Sequence, residues 1–145
     1  MKLDYFTPEE FRECWAQMHP TTLKCVDAFR HAWGAPCTVS PHKDALGRNL
    51  GKGKLSGHNV DEWEWVYAVD LFPKGMHTEQ DLARAYRCAR KANATGIGLY
   101  TDTRPSFMIH LDTRPDRTPD NPRLWCRDAG QYKAIETVMP KGWER

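Results

Sequence analysis

The sequence predicts an α+β domain in which helices pack on a small antiparallel sheet. Two observations carry this. Apolar residues recur at helical spacing over the first 33 residues, and short alternating segments then surround one further helical stretch, an order that suits helices laid on a sheet. A chain of 145 residues with 40% hydrophobic content is sized for one core, so residues 1–145 are expected to form a single domain.

Thr7-Pro8-Glu9-Glu10 reads as an N-cap followed by proline at the first helical position, and Phe11, Cys14, Trp15 and Met18 continue the pattern as a first helix. His19-Pro20 interrupts it. Leu23, Val26, Phe29, Ala32 and Trp33 outline a second amphipathic helix that stops at Gly34. Residues 35–40 suit a short strand, and the polar, glycine-rich residues 41–57 a surface loop. Residues 66–72 have strong strand character and end at Pro73. Thr78, with Glu79 and Asp81 early and Arg90 and Lys91 late, predicts a helix over residues 78–93. Residues 96–101 and 107–113 read as two strands joined by a turn containing Arg104-Pro105-Ser106. The proline-rich residues 114–122 read as loop, and from Trp125 onward the pattern favours neither helix nor strand.

Lys and Arg are interspersed with Asp and Glu, and the net charge is only +2, so neither nucleic acid nor a membrane surface is the expected partner. The acidic, polar start has no signal-peptide character, and no segment reaches transmembrane length; cytoplasmic synthesis is expected. Cys14, Cys25, Cys37, Cys88 and Cys126 are odd in number and widely spaced, which fits free thiols in a reducing compartment.

Two strands carry polar residues where apolar ones are the norm. Asp70 lies within residues 67–72 and His110 within residues 107–112. Alternation puts Met108, His110 and Asp112 on one face and Phe107, Ile109 and Leu111 on the other. A carboxylate in a half-buried strand is costly unless it is paired, hydrogen-bonded or bound to a cation. His58 ends the glycine-rich loop just before this region. Two imidazoles, one carboxylate and a water make a catalytic zinc site. On residue types alone the alternative stands that His110 is a hydrogen-bonded core histidine and Asp70 a turn cap or the partner of an arginine, since the chain has neither His-Glu-x-x-His nor Cys-x-x-Cys.

Ser56-Gly57-His58, Ala68-Val69-Asp70, the strand at residues 96–100, Ile109-His110-Leu111-Asp112 and Arg123-Leu124-Trp125 occur in that order. In these segments, over residues 38–125, the chain resembles the zinc D-alanyl-D-alanine carboxypeptidase and murein endopeptidase family, which shares its fold with the Hedgehog signalling domain. The resemblance implies a Hedgehog/DD-peptidase-like fold, Zn²⁺ as cofactor, His58, Asp70 and His110 as its ligands, and hydrolysis of peptide bonds in peptidoglycan stem peptides. Asp112 matches the second member of a His-x-Asp pair in the branch that includes phage lysis enzymes. An endolysin or a virion component, acting on the wall after release, is the corresponding expectation.

The chain departs from the pattern in three places. Residues 59–66 lengthen the connection between the first two ligands, residues 105–108 hold no strong base, and residues 38–43 lack the arginine that binds the substrate carboxylate. Arg48, Lys43 or His42 are the substitutes, and Arg48, Ser56 and Trp125 are the expected substrate-binding set. Asp112 serves as proton shuttle or orients His110. Asp61 and Glu64 are second candidates for the base or solvated loop charges, and Trp63, Trp65 and Trp125 are groove walls or core. His19, His31 and His77 read as surface or capping residues, and Arg84, Arg87, Arg90 and Lys91 as a solvated helix face. The rival function is a structural or wall-binding module with the same fold and no catalysis.

Overall fold

Alternation along the strands separates an apolar face from a polar one, and the architecture follows from covering the first. The computed structural model describes residues 1–144. Its strands are β1 (Cys37–Val39), β2 (Ala68–Pro73), β3 (Gly96–Tyr100), β4 (Met108–Asp112), β5 (Arg123–Asp128) and β6 (Gln131–Lys133), and its α-helices are α1 (Pro20–Trp33), α2 (Val60–Trp63) and α3 (Glu79–Lys91). The strands form one open sheet in the order β1-β2-β4-β3-β5-β6.

The sheet is mixed, which corrects the all-antiparallel expectation: β3 and β5 run parallel, while every other pair is antiparallel. The reason lies in the register. β4 ends at Asp112 opposite Gly96, the first residue of β3. Its other edge is already held by β2. A chain returning at that end finds only the free edge of β3, and Arg123 enters opposite Gly96 in the same direction.

Val69, Leu71, Ile97, Leu99, Ile109 and Leu111 point to one face and are fully buried. Against them pack α1, through Leu23, Val26 and Phe29, and α3, through Leu82, Ala85 and Ala89. Each large aliphatic side chain so buried contributes about 1.5–3 kcal/mol relative to exposure. The segment expected as a first α-helix is instead a 3-10 segment, Pro8–Gln17, kinked at Arg12 with φ 54°. Arg12 reaches out of it to donate to the carbonyls of Ser40 and Pro41, so a tertiary contact overrides the local pattern. The segment whose pattern was indifferent forms β5, β6 and a 3-10 turn at Ile135–Val138. Among the described residues no helix is long and apolar enough to cross a membrane.

The opposite face carries Asp70 from β2, Gly96, Gly98 and Tyr100 from β3, His110 and Asp112 from β4, and Trp125 from β5, as the pairings Asp70↔His110, Gly98↔His110 and Gly98↔Trp125 require. Two glycines make this face possible. A Cβ on Gly96 would lie 2.4–2.5 Å from the Asp112 carboxyl, and one on Gly98 would lie 2.4–2.7 Å from the Trp125 indole. Gly98→Ala should therefore destabilise the protein by about 1–3 kcal/mol through overpacking, read from denaturant unfolding followed by tryptophan fluorescence.

Candidate metal centre

His58, Asp70 and His110 converge on this face from three segments far apart in sequence. Asp70 is set by β2 and His110 by β4, directly opposite each other in the ladder. His58 is delivered by the long glycine-rich loop, and Asn59 holds that loop in shape. The Asn59 side chain accepts from the backbone N–H of Leu50 and Asp61 and donates to the carbonyls of Gly51 and Lys54. Asp61 accepts from Gly51 and Asn49, and Glu62 from Gly53, so the acidic residues of this region fasten the loop.

The hydrogen bonds of the two imidazoles fix which nitrogens face each other. His58 Nδ1 lies 2.6 Å from the carbonyl of Leu46, which can only accept, so Nδ1 carries the proton and the Nε2 lone pair is free. His110 Nε2 lies 2.7 Å from Asp112 Oδ2 and donates to it, which frees Nδ1. Asp70 Oδ1 sits between the two free nitrogens, 3.5 Å from His58 Nε2 and 3.2 Å from His110 Nδ1. The three ligand atoms lie within 4.8 Å of one another. Zinc bonds of about 2.0–2.2 Å put tetrahedral ligands roughly 3.3–3.5 Å apart, so the group fits a divalent cation held by two imidazoles and one carboxylate.

Behind His110, Asp112 is 1% exposed and is held in turn by Arg114, whose Nη2 lies 3.2 Å from Oδ2. Arg114 also donates to the Leu55 carbonyl, tying this layer to the His58 loop. The Asp112 carboxylate bonds the nitrogen of His110 that faces away from Asp70, and it is not among the cleft-lining residues, a placement that suits orienting His110 better than shuttling a proton.

Without a metal the facing nitrogens can take up protons in place of the cation. Burial alone would raise the Asp70 carboxyl, but when the imidazoles are protonated the facing His58 charge and the hydrogen bonds from His110 and His58 hold it below the usual carboxylate range. Burial would likewise lower His110, yet its bonds to Asp112 and Asp70 raise it to about 9. Asp112 is depressed despite burial by His110 and Arg114.

A cleft of about 720 Å³ opens over the trio, and its lining includes Arg48, Ser56 and Trp125, the three expected binding residues. His42 and Asp44 also line it, while Lys43, Asp61, Glu64, Trp63 and Trp65 do not. Trp63 and Trp65 instead join His19 and Tyr67 in an aromatic cluster, where the His19 ring stacks on Tyr67 and caps α1 by accepting from Thr21. His31 bonds the Tyr5 hydroxyl, the backbone N–H of His77 donates to Asp81 ahead of α3, and the Arg84 guanidinium lies over Trp33.

Sequence reasoning missed Tyr100, Arg123 and Arg127, which also line the cleft. The alternation Arg123, Trp125, Arg127 was a signal for the arginines, but only a strand assignment for this segment gives it meaning. Trp125 Nε1 donates to the Tyr100 hydroxyl at 3.1 Å, and the indole lies 4.8 Å from the His110 ring between centroids, so the aromatic wall packs beside one of the three candidate ligands.

Asp112→Asn should weaken metal affinity about 10–100-fold with the fold intact, measured by competition against a chelator. In the metal-free protein, the raised His110 contributes stability that is complete below its usual 6.5 and is lost as pH rises through about 9. The depressed Asp70 and Asp112 contribute stability present above their usual 3.8 and lost as pH falls below it. Thermal unfolding of metal-free protein should thus peak between these limits, while zinc affinity, which requires neutral imidazoles, should rise with pH across the same range. No protein-family model, curated protein or solved structure matches this chain.

Proposed function

We propose that the chain is a zinc-dependent peptidase of the Hedgehog/DD-peptidase fold that hydrolyses peptide bonds in bacterial peptidoglycan, as an endolysin or related lytic protein. One observation carries the reading: His58 Nε2, Asp70 Oδ1 and His110 Nδ1 point their lone pairs at one another at the floor of an open cleft. Zinc bound there would bring the pKa of a water to about 7 and polarise the carbonyl under attack. The chain's own residues supply the rest. Asp112 and the Leu46 carbonyl hold both imidazoles in the metal-binding tautomer. Arg48, Ser56 and Trp125 border the cleft where the stem peptide would lie.

With Asp112 committed to His110, the proton acceptor is sought among the cleft carboxylates. Asp102 is held by Arg127 Nε through both oxygens and by the backbone of Gly130. Asp44 is freer, with only 3.7 Å contacts to His42 and Arg48, and its neighbour Ala45 accepts from the Asp70 backbone N–H. Asp44 is therefore the proposed general base.

The purified protein should carry close to one zinc per chain by mass spectrometry of metals, and His110→Ala should lose it. Zinc-loaded protein should release new amino groups from purified sacculi, and Asp44→Asn should lower that turnover about 10²–10⁴-fold with zinc retained. The absence of the expected base beside His110 favours one rival, a wall-binding module. Protein that pellets with sacculi yet releases nothing, even with added zinc, would establish the rival and remove the peptidase reading.

A further inference from the structure

The segment of residues 40–48, which lies outside every helix and strand, holds two of the three candidate ligands. The Ser40 N–H donates to the Asp70 carbonyl at 2.9 Å, and the Ala45 carbonyl accepts from the Asp70 N–H at 3.1 Å, so Asp70 is gripped on both backbone groups. The Leu46 carbonyl accepts from His58 Nδ1, and the Arg48 N–H donates to the His58 carbonyl at 2.8 Å. Asp44, the proposed base, belongs to the same segment. Whatever fixes residues 40–48 therefore fixes the relation between the base and two of the ligands.

At its start the segment is held by Arg12, whose Nη2 donates to the Ser40 carbonyl at 3.2 Å and whose Nη1 donates to the Pro41 carbonyl at 3.1 Å. Two arms of one planar fork on successive carbonyls set the direction of the chain as well as its position. Ser40 is buried, and its hydroxyl takes up the His42 N–H, which holds the next residues from within. Arg12 makes these bonds from a backbone, φ 54° and ψ −141°, that only glycine adopts without strain. The other non-glycine residues of positive φ among the described residues, Glu64, Asn93 and Ala129, stand at helix ends or in the β5–β6 turn, whereas Arg12 interrupts a 3-10 segment. Strain of this kind persists where surrounding contacts over-determine it, and it gathers around functional sites. Arg12 is exposed and is not among the cleft-lining residues, so any influence on the site runs through residues 40–48.

We propose that Arg12 is a positioning residue for the metal centre: by clamping Ser40 and Pro41 it holds the segment that sets the Asp70 backbone and the His58 tautomer. This rests on the reading of His58 and Asp70 as ligands. It adds a contact outside the cleft on which their alignment depends.

The test follows amide hydrogen exchange by NMR in the metal-free full chain, comparing wild type with Arg12→Gly, where glycine keeps the backbone angle without strain while the guanidinium is gone. The Ser40, Asp70 and Arg48 amides should exchange about tenfold faster in Arg12→Gly, with the amides of β3 and β4 protected as in wild type. The His58 Nδ1 proton should also exchange faster, because the Leu46 carbonyl is no longer held in place. Zinc affinity, from competition against a chelator, should fall about tenfold. Arg12→Lys, which keeps a single donor group, should lie between, and it carries the test should Arg12→Gly fail to fold. The proposal is overturned if the Ser40, Asp70 and Arg48 amides keep their wild-type protection, if protection falls equally across β3 and β4, or if the variants bind zinc as tightly as a zinc-binding wild type. The two readings fail separately: wild type that binds no zinc removes the peptidase, while the exchange of these amides still decides the role of Arg12.

Discussion

The bond from His110 Nε2 to the Asp112 carboxylate sets the geometry on which the polar face depends. A buried carboxylate is tolerable only with full partners, and Asp112 has them in His110, in the Arg114 guanidinium and in the Arg114 backbone N–H. The same bond chooses the His110 tautomer, so the free nitrogen is the one that meets Asp70. The space for Asp112 exists because Gly96 has no side chain. Ligand orientation, charge balance and a missing Cβ on the next strand are thus one device.

Energetically the domain divides between its two sheet faces. The face against α1 and α3 is apolar and supplies the stabilisation that lets the other face hold buried charge. On the polar face, charges are arranged in paired layers: Asp70 between two imidazoles, Asp112 between His110 and Arg114, Asp102 against Arg127. Each pair neutralises a carboxylate that would otherwise leave an uncompensated charge on this face.

The loop that delivers His58 shows how a long, glycine-rich connection can be precise. Loop closure costs rise only slowly with length, so the extra residues between His58 and Asp70 are tolerated. Precision comes from Asn59, Asp61 and Glu62, whose side chains take up backbone N–H groups that the glycines cannot tie into regular structure. For Asp61, the sequence context suggests a solvated charge or a candidate base, because nothing in a linear pattern shows which backbone donor lies across a loop.

Sequence alone determined the positions of the core strands and helices and the shared face of His110 and Asp112, because side-chain alternation and helical periodicity are local properties of the chain. It also singled out His58, Asp70 and His110, by the cost of polar residues in apolar strands and by resemblance. Only the tertiary structure decided that β5 joins β3 in parallel, that Leu46 fixes the His58 tautomer, that Asp112 stands behind His110, and that Arg123 and Arg127 reach the lining of the cleft. Each of these depends on which segments become neighbours across tens of residues, a choice made by packing all elements at once.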